Sequence, residues 1–90
     1  MDVEYDPTKN ARNIELRGLS FERARGFEFT TALIVIDNRK EYGEIRYRAL
    51  GFLKDRLHSL VFTEAAKGIR IISFRKANAR EVKTYEKAKG

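Results

Sequence analysis

The spacing of apolar residues changes at Thr31, and that change sets the class of fold open to this chain. Before it, Phe21, Ala24 and Phe27 recur every three residues, a spacing that gives a helix one apolar side. After it, the pattern is that of strands. Thr31–Asp37 is β-branched and apolar. Ile45–Phe52 alternates, with Ile45, Tyr47 and Ala49 on one side and Arg46, Arg48 and Leu50 on the other. Leu57–Glu64 and Ile69–Arg75 follow, joined by short turns at Lys54-Asp55 and Ala66-Lys67-Gly68. Short connections favour antiparallel neighbours, so an antiparallel meander is predicted.

Helical signals flank this block. Val3 and Tyr5 suit a short opening strand. Asp6-Pro7 then reads as a helix start, because Asp accepts from orphan N–H groups and Pro is pre-set for the first helical position. That helix runs to about Leu16, and Gly18 stops it in the left-handed conformation. Ser20 caps a second short helix. Asn78 caps a last one, with Glu81 placed to complete a capping box. The order predicts an α+β domain: two N-terminal helices, an antiparallel sheet and a C-terminal helix.

Ninety residues with 42% hydrophobic side chains supply one core and so one domain, residues 1–90. Cysteine is absent, which excludes disulfides, zinc fingers and a thiol nucleophile. No Gly-rich phosphate loop, metal-ligand cluster or nucleophile elbow is present, so no cofactor is expected. The longest apolar run, Ala32–Ile36, is too short to span a bilayer. The acidic N-terminus lacks the basic start of a signal peptide, so the expected compartment is the cytoplasm. His58, the one histidine, reads as a half-buried strand residue rather than a general base. A mechanism needing a histidine pair is excluded.

What remains is charge. The net charge is +6, and residues 69–90 hold seven basic and two acidic side chains, a net +5. Arg forks onto phosphate oxygens with paired hydrogen bonds, and an exposed Phe74 or Tyr85 would stack on a base. On the last strand, alternation puts Arg70, Ile72, Phe74 and Lys76 on one side. These residues point to a basic surface for a polyanion, an RNA-binding module in the simplest form, or to a merely solvated face.

Four stretches narrow this. Tyr5-Asp6-Pro7-x-Lys9-x-x-x-Asn13, Gly18-x-Ser20-Phe21, Asp37-x-Arg39-x-x-Tyr42-Gly43-Glu44-x-Arg46, and Arg70-Ile71-Ile72-Ser73-x-Arg75-Lys76-Ala77 with Arg80-Glu81 and Tyr85 resemble the BrnT family in order and spacing. The resemblance implies a toxin of a bacterial type II toxin–antitoxin module with a RelE-like fold. It implies a metal-independent endoribonuclease, neutralised by a BrnA-like ribbon-helix-helix antitoxin in a heterotetramer that reaches operator DNA only through the antitoxin. Arg46, Arg70 and Arg75 then bind or stabilise phosphate, and Glu44 serves as a base or orients an arginine. Lys9, Arg17, Lys76, Arg80 and Tyr85 contact RNA. Where the family commonly has Lys-His-Gly, this chain has Leu16-Arg17-Gly18. Arginine stays protonated and cannot move protons as histidine does. The alternative is therefore a degenerate BrnT-like co-repressor that only binds its antitoxin.

Overall fold

The computed structural model describes all 90 residues. Strand β1 (Asp2–Glu4) leads into helix α1 (Pro7–Arg17), followed by 3₁₀ helices at Phe21–Gly26 and Phe29–Thr31. Strands β2 (Leu33–Ile36), β3 (Tyr47–Leu53), β4 (Arg56–Ala65) and β5 (Gly68–Lys76) come next, and helix α2 (Ala79–Lys89) closes the chain. The sheet order is β1-β5-β4-β3-β2. Strands β2 to β5 pair antiparallel, as a meander should.

The capping chemistry does what the sequence specifies. The Asp6 side chain accepts from Thr8 N at 2.9 Å, and Gly18 takes φ 66° with its N–H on the Ile14 carbonyl. Asn78 and Glu81 exchange both capping-box bonds, each 2.9 Å. Helix α1 buries no residue completely, so apolar packing alone does not dock it. Its asparagines help: Asn13 Nδ2 donates to the carbonyls of Leu19 and Phe74, and Asn10 accepts from Phe21 N.

Two expectations are corrected. The N-terminal region holds one α-helix, not two. The segment after Ser20 is a 3₁₀ helix, and its physical signature was the three-residue spacing itself. A 3₁₀ helix has three residues per turn, so Phe21 and Ala24 share one side, Phe27 follows as the extended C-cap, and all three are buried. The sheet is also mixed rather than purely antiparallel, because β1 adds to β5 in parallel, Val3 opposite Ile69. Gly68 makes that addition possible. A Cβ there would overlap the Asp2 carbonyl oxygen. Gly68→Ala is expected to push β1 off the sheet and cost about 1 kcal/mol, read from denaturant midpoints at unchanged slope.

The faces of β5 differ from simple alternation as well. Val61 pairs with Ser73 but Phe62 pairs with Ile71, leaving Ile72 as an extra residue. This bulge flips the phase, so Ile71 and Phe74 both enter the core. Phe74 has no exposed surface and cannot stack on a base. The core lies on one face, where Phe74, Leu60, Phe62, Ala49 and Leu53 meet the 3₁₀ segment. On the other face α2 covers one end, with Tyr85 edge-on to Phe52. The rest of that face is open.

Candidate functional site

The open part of that face is a groove of about 690 Å³. Its cations come from four segments. Arg39 lies in the loop after β2. Arg46 immediately precedes β3 and Arg48 is its second residue, both on the side that alternation predicts. Arg75 ends β5, and Arg80 sits in the first turn of α2. Tyr42, Ser59, Ser73 and Thr84 add hydroxyls, and Leu33, Val35, Leu50 and Val61 add apolar surface.

Two carboxylates organise these arginines. Asp37 is 4% exposed. It accepts from Arg39 Nε at 2.7 Å, Arg39 Nη2 at 2.8 Å and the Tyr42 hydroxyl at 3.1 Å, and Arg48 Nε lies 3.8 Å away. The Arg39 hydrogen bonds hold Asp37 far below the usual carboxylate range, against the opposing effect of burial. Glu81 takes a fork from Arg75, at 2.8 and 3.0 Å, while also capping α2. That fork lowers the Glu81 pKa and raises that of Arg75. At the rim, Glu44 holds Arg46 Nε at 3.0 Å, and the Arg46 guanidinium stacks 4.2 Å over the Tyr42 ring.

The groove therefore gathers Arg46, Arg75 and Arg80 from the sequence-level candidates, with Glu44 adjoining through Arg46. It leaves the others elsewhere. Arg70 is exposed and forms no ion pair; Lys9 is exposed on α1. Tyr85 packs on Phe52 and donates to the Thr31 carbonyl at 2.9 Å. Arg17 and Lys76 line a separate hollow that also contains His58. Asp37, Arg39, Arg48 and Tyr42 had been given no role. Asp37 carried a usable signal: a lone carboxylate closing an apolar strand, two residues before an arginine.

A family profile described as the ribonuclease toxin BrnT of type II toxin–antitoxin systems matches residues 5–81. The chain belongs to the BrnT family. A BrnT-family toxin of type II has a protein antitoxin as partner. No curated protein and no solved structure matches the chain. Two of the four motif stretches that carried the BrnT resemblance place side chains in or beside the groove: Asp37 to Arg46 along one wall, and Arg75 to Glu81 along the other. No helix is long and apolar enough to cross a membrane.

Proposed function

We propose that this chain is an endoribonuclease toxin that cuts RNA in the arginine groove, on a RelE-like scaffold and without a resident metal ion, and that a BrnA-like ribbon-helix-helix antitoxin silences it in the cytoplasm. The observation that carries the reading is the convergence of five arginines on one concave face in a BrnT-family chain.

The chemistry follows from charge. The 2′-oxygen of RNA attacks the adjacent phosphorus, the bond to the 5′-oxygen breaks, and a 2′,3′-cyclic phosphate and a 5′-hydroxyl result. Negative charge grows on the non-bridging oxygens in the transition state, and pre-placed guanidiniums offset it. Arg75, held by the Glu81 fork, and Arg48, whose Nε lies 3.8 Å from Asp37 without a hydrogen-bond partner, suit this role, and both are still open to the groove. One proton must leave the 2′-hydroxyl and one must reach the 5′-oxygen. Asp37 and Glu81 are poor bases, since their arginine partners keep them ionised. Glu44 has one oxygen on Arg46 and the other unbonded, and we assign it the first proton. DNA lacks the 2′-hydroxyl and is spared.

Purified chain freed of antitoxin is expected to cut RNA in EDTA and to leave cyclic phosphate ends. Glu44→Gln is expected to lower the rate about a hundredfold or more with RNA affinity unchanged. Intact RNA at high protein concentration would refute the enzyme reading. It would favour the second one, an antitoxin-binding co-repressor, which is motivated by a groove without histidine.

A further inference from the structure

The hollow that holds Arg17 and Lys76 differs from the groove in one decisive respect. In the groove, Arg39, Arg46, Arg48 and Arg75 each face a carboxylate within 4.0 Å. In the hollow, Arg17, Arg23, Lys54, Arg56 and Lys76 form no ion pair at all. These five cations come from the end of α1, the 3₁₀ helix, the β3–β4 turn, the start of β4 and the end of β5, and close around about 460 Å³. Asp55 is the one acidic residue among them. Arg17, in the last turn of α1, offsets the partial negative charge of that helix end. The other four, against Asp55 alone, leave a net positive field. Lys54 reaches its place with φ 58°, a left-handed conformation uncommon for lysine.

His58 lies on the wall of this hollow, at the edge of the core. Its Nδ1 is 2.8 Å from the Arg56 carbonyl, which fixes Nδ1 as the donor and leaves Nε2 with no protein partner. Burial, helped by the charges of Arg56, Lys76 and Arg23, holds its pKa below the usual histidine range against the opposing hydrogen bond to the Arg56 carbonyl. The imidazole stands neutral among five cations with Nε2 as an acceptor, so the donors an anion would find there come from the surrounding cations.

We infer that this hollow is a phosphate-binding subsite for the RNA backbone, separate from the arginine groove. The inference rests on the ribonuclease reading for its ligand and on the unpaired cations for its place. Connectivity supports it. Arg75 and Lys76 are consecutive on β5 and face opposite sides, one in the groove and one in the hollow. A single strand passing round that end of the sheet would meet cations on both. Five unpaired cations converging on a small space suit a compact phosphate better than scattered side-chain carboxylates do.

His58 supplies the readout, because a single histidine gives one unambiguous set of ring signals in NMR. Inorganic phosphate is expected to shift those signals in the wild-type chain and to raise their titration midpoint by about half a unit or more, since a bound anion favours imidazolium. Arg23 and Lys76 are exposed, so the double variant R23Q/K76Q keeps the fold; its response is expected to fall at least fivefold in phosphate affinity. The second arm uses an uncleavable 2′-O-methyl RNA strand. The double variant is expected to lose about 1.4 from the slope of log affinity against log salt, the share of two phosphate contacts. The control K83Q/K87Q, with the same charge change on α2, is expected to lose less than half of that. No phosphate-dependent shift of His58, or equal losses in both variants, overturns the proposal. So does a double variant that binds RNA normally but no longer binds the antitoxin, which would make the hollow an antitoxin surface. Cleavage decides the ribonuclease reading independently: a wild-type chain that binds the strand through this hollow but never cuts RNA keeps the subsite and loses the enzyme.

Discussion

Arg75→Lys is expected to lower RNA cleavage by about a hundredfold or more while leaving the fold in place, because it removes a fork and keeps a charge. Arg75 sits in the groove with both Nη atoms on Glu81. A lysine ammonium reaches one oxygen of that carboxylate and retains the pairing in part, so Glu81 still caps α2. What disappears is the planar pair of donors that can turn toward a phosphorane. The rate should fall with little change in RNA affinity, since one positive charge remains for ground-state phosphate. A parallel loss of affinity and rate would mean that Arg75 holds RNA without assisting the chemistry. An unchanged rate would remove it from the site and leave Arg48 as the principal cation. Circular dichroism and thermal midpoints of the variant separate these outcomes from misfolding.

Local chemistry was legible in the sequence, and long-range geometry was not. The caps at Asp6, Gly18 and Asn78 depend on residues within a few positions, and all three form as written. The faces of β3 follow from strict alternation, which places Arg46, Arg48 and Leu50 together on the groove side. Parallel addition of β1 to β5 joins residues more than sixty apart, and no local signal encodes it. The bulge at Ile72 is likewise a property of the pair β4–β5, so alternation failed from Ile72 onward and misplaced Phe74. Charge counting failed for the same reason. Residues 69–90 carry most of the net charge, yet their cations scatter: Arg75 and Arg80 to the groove, Lys76 to the hollow, and Arg70 to neither. The groove takes Arg39, Arg46 and Arg48 from a stretch whose acidic residues nearly cancel its basic ones in the count. Cancellation in sequence hid an ordered arrangement, because the acids that balance these arginines also position them.

Asp37→Asn tests that last point and is expected to have the largest effect on stability among single changes in the groove. Asp37 is nearly inaccessible and anchors Arg39, Tyr42 and, more distantly, Arg48. Asparagine keeps the shape but turns one acceptor into a donor facing other donors. Hydrogen bonds to a charged group contribute about 1.5–3 kcal/mol, and the half-exposed guanidiniums recover part of this from water, so a net loss of about 2 kcal/mol is expected in denaturant unfolding. The pH dependence has a definite sign. Asp37 titrates lower in the folded chain than the ordinary aspartate value of about 3.9. Its contribution is therefore complete above that value and is lost as pH falls below it, because the unfolded chain takes up the proton first. The wild-type chain should lose stability between about pH 5 and pH 2 more steeply than the variant does. RNA binding should move the other way. With one negative charge gone and Arg39 and Arg48 released, the groove becomes more positive, so affinity at low salt should hold or rise while the cleavage rate falls through lost positioning. A variant that binds more weakly and cuts more slowly in proportion would show instead that Asp37 only supports the fold. Opposite movements of affinity and rate would show that the buried carboxylate converts a cluster of like charges into an aimed set of donors.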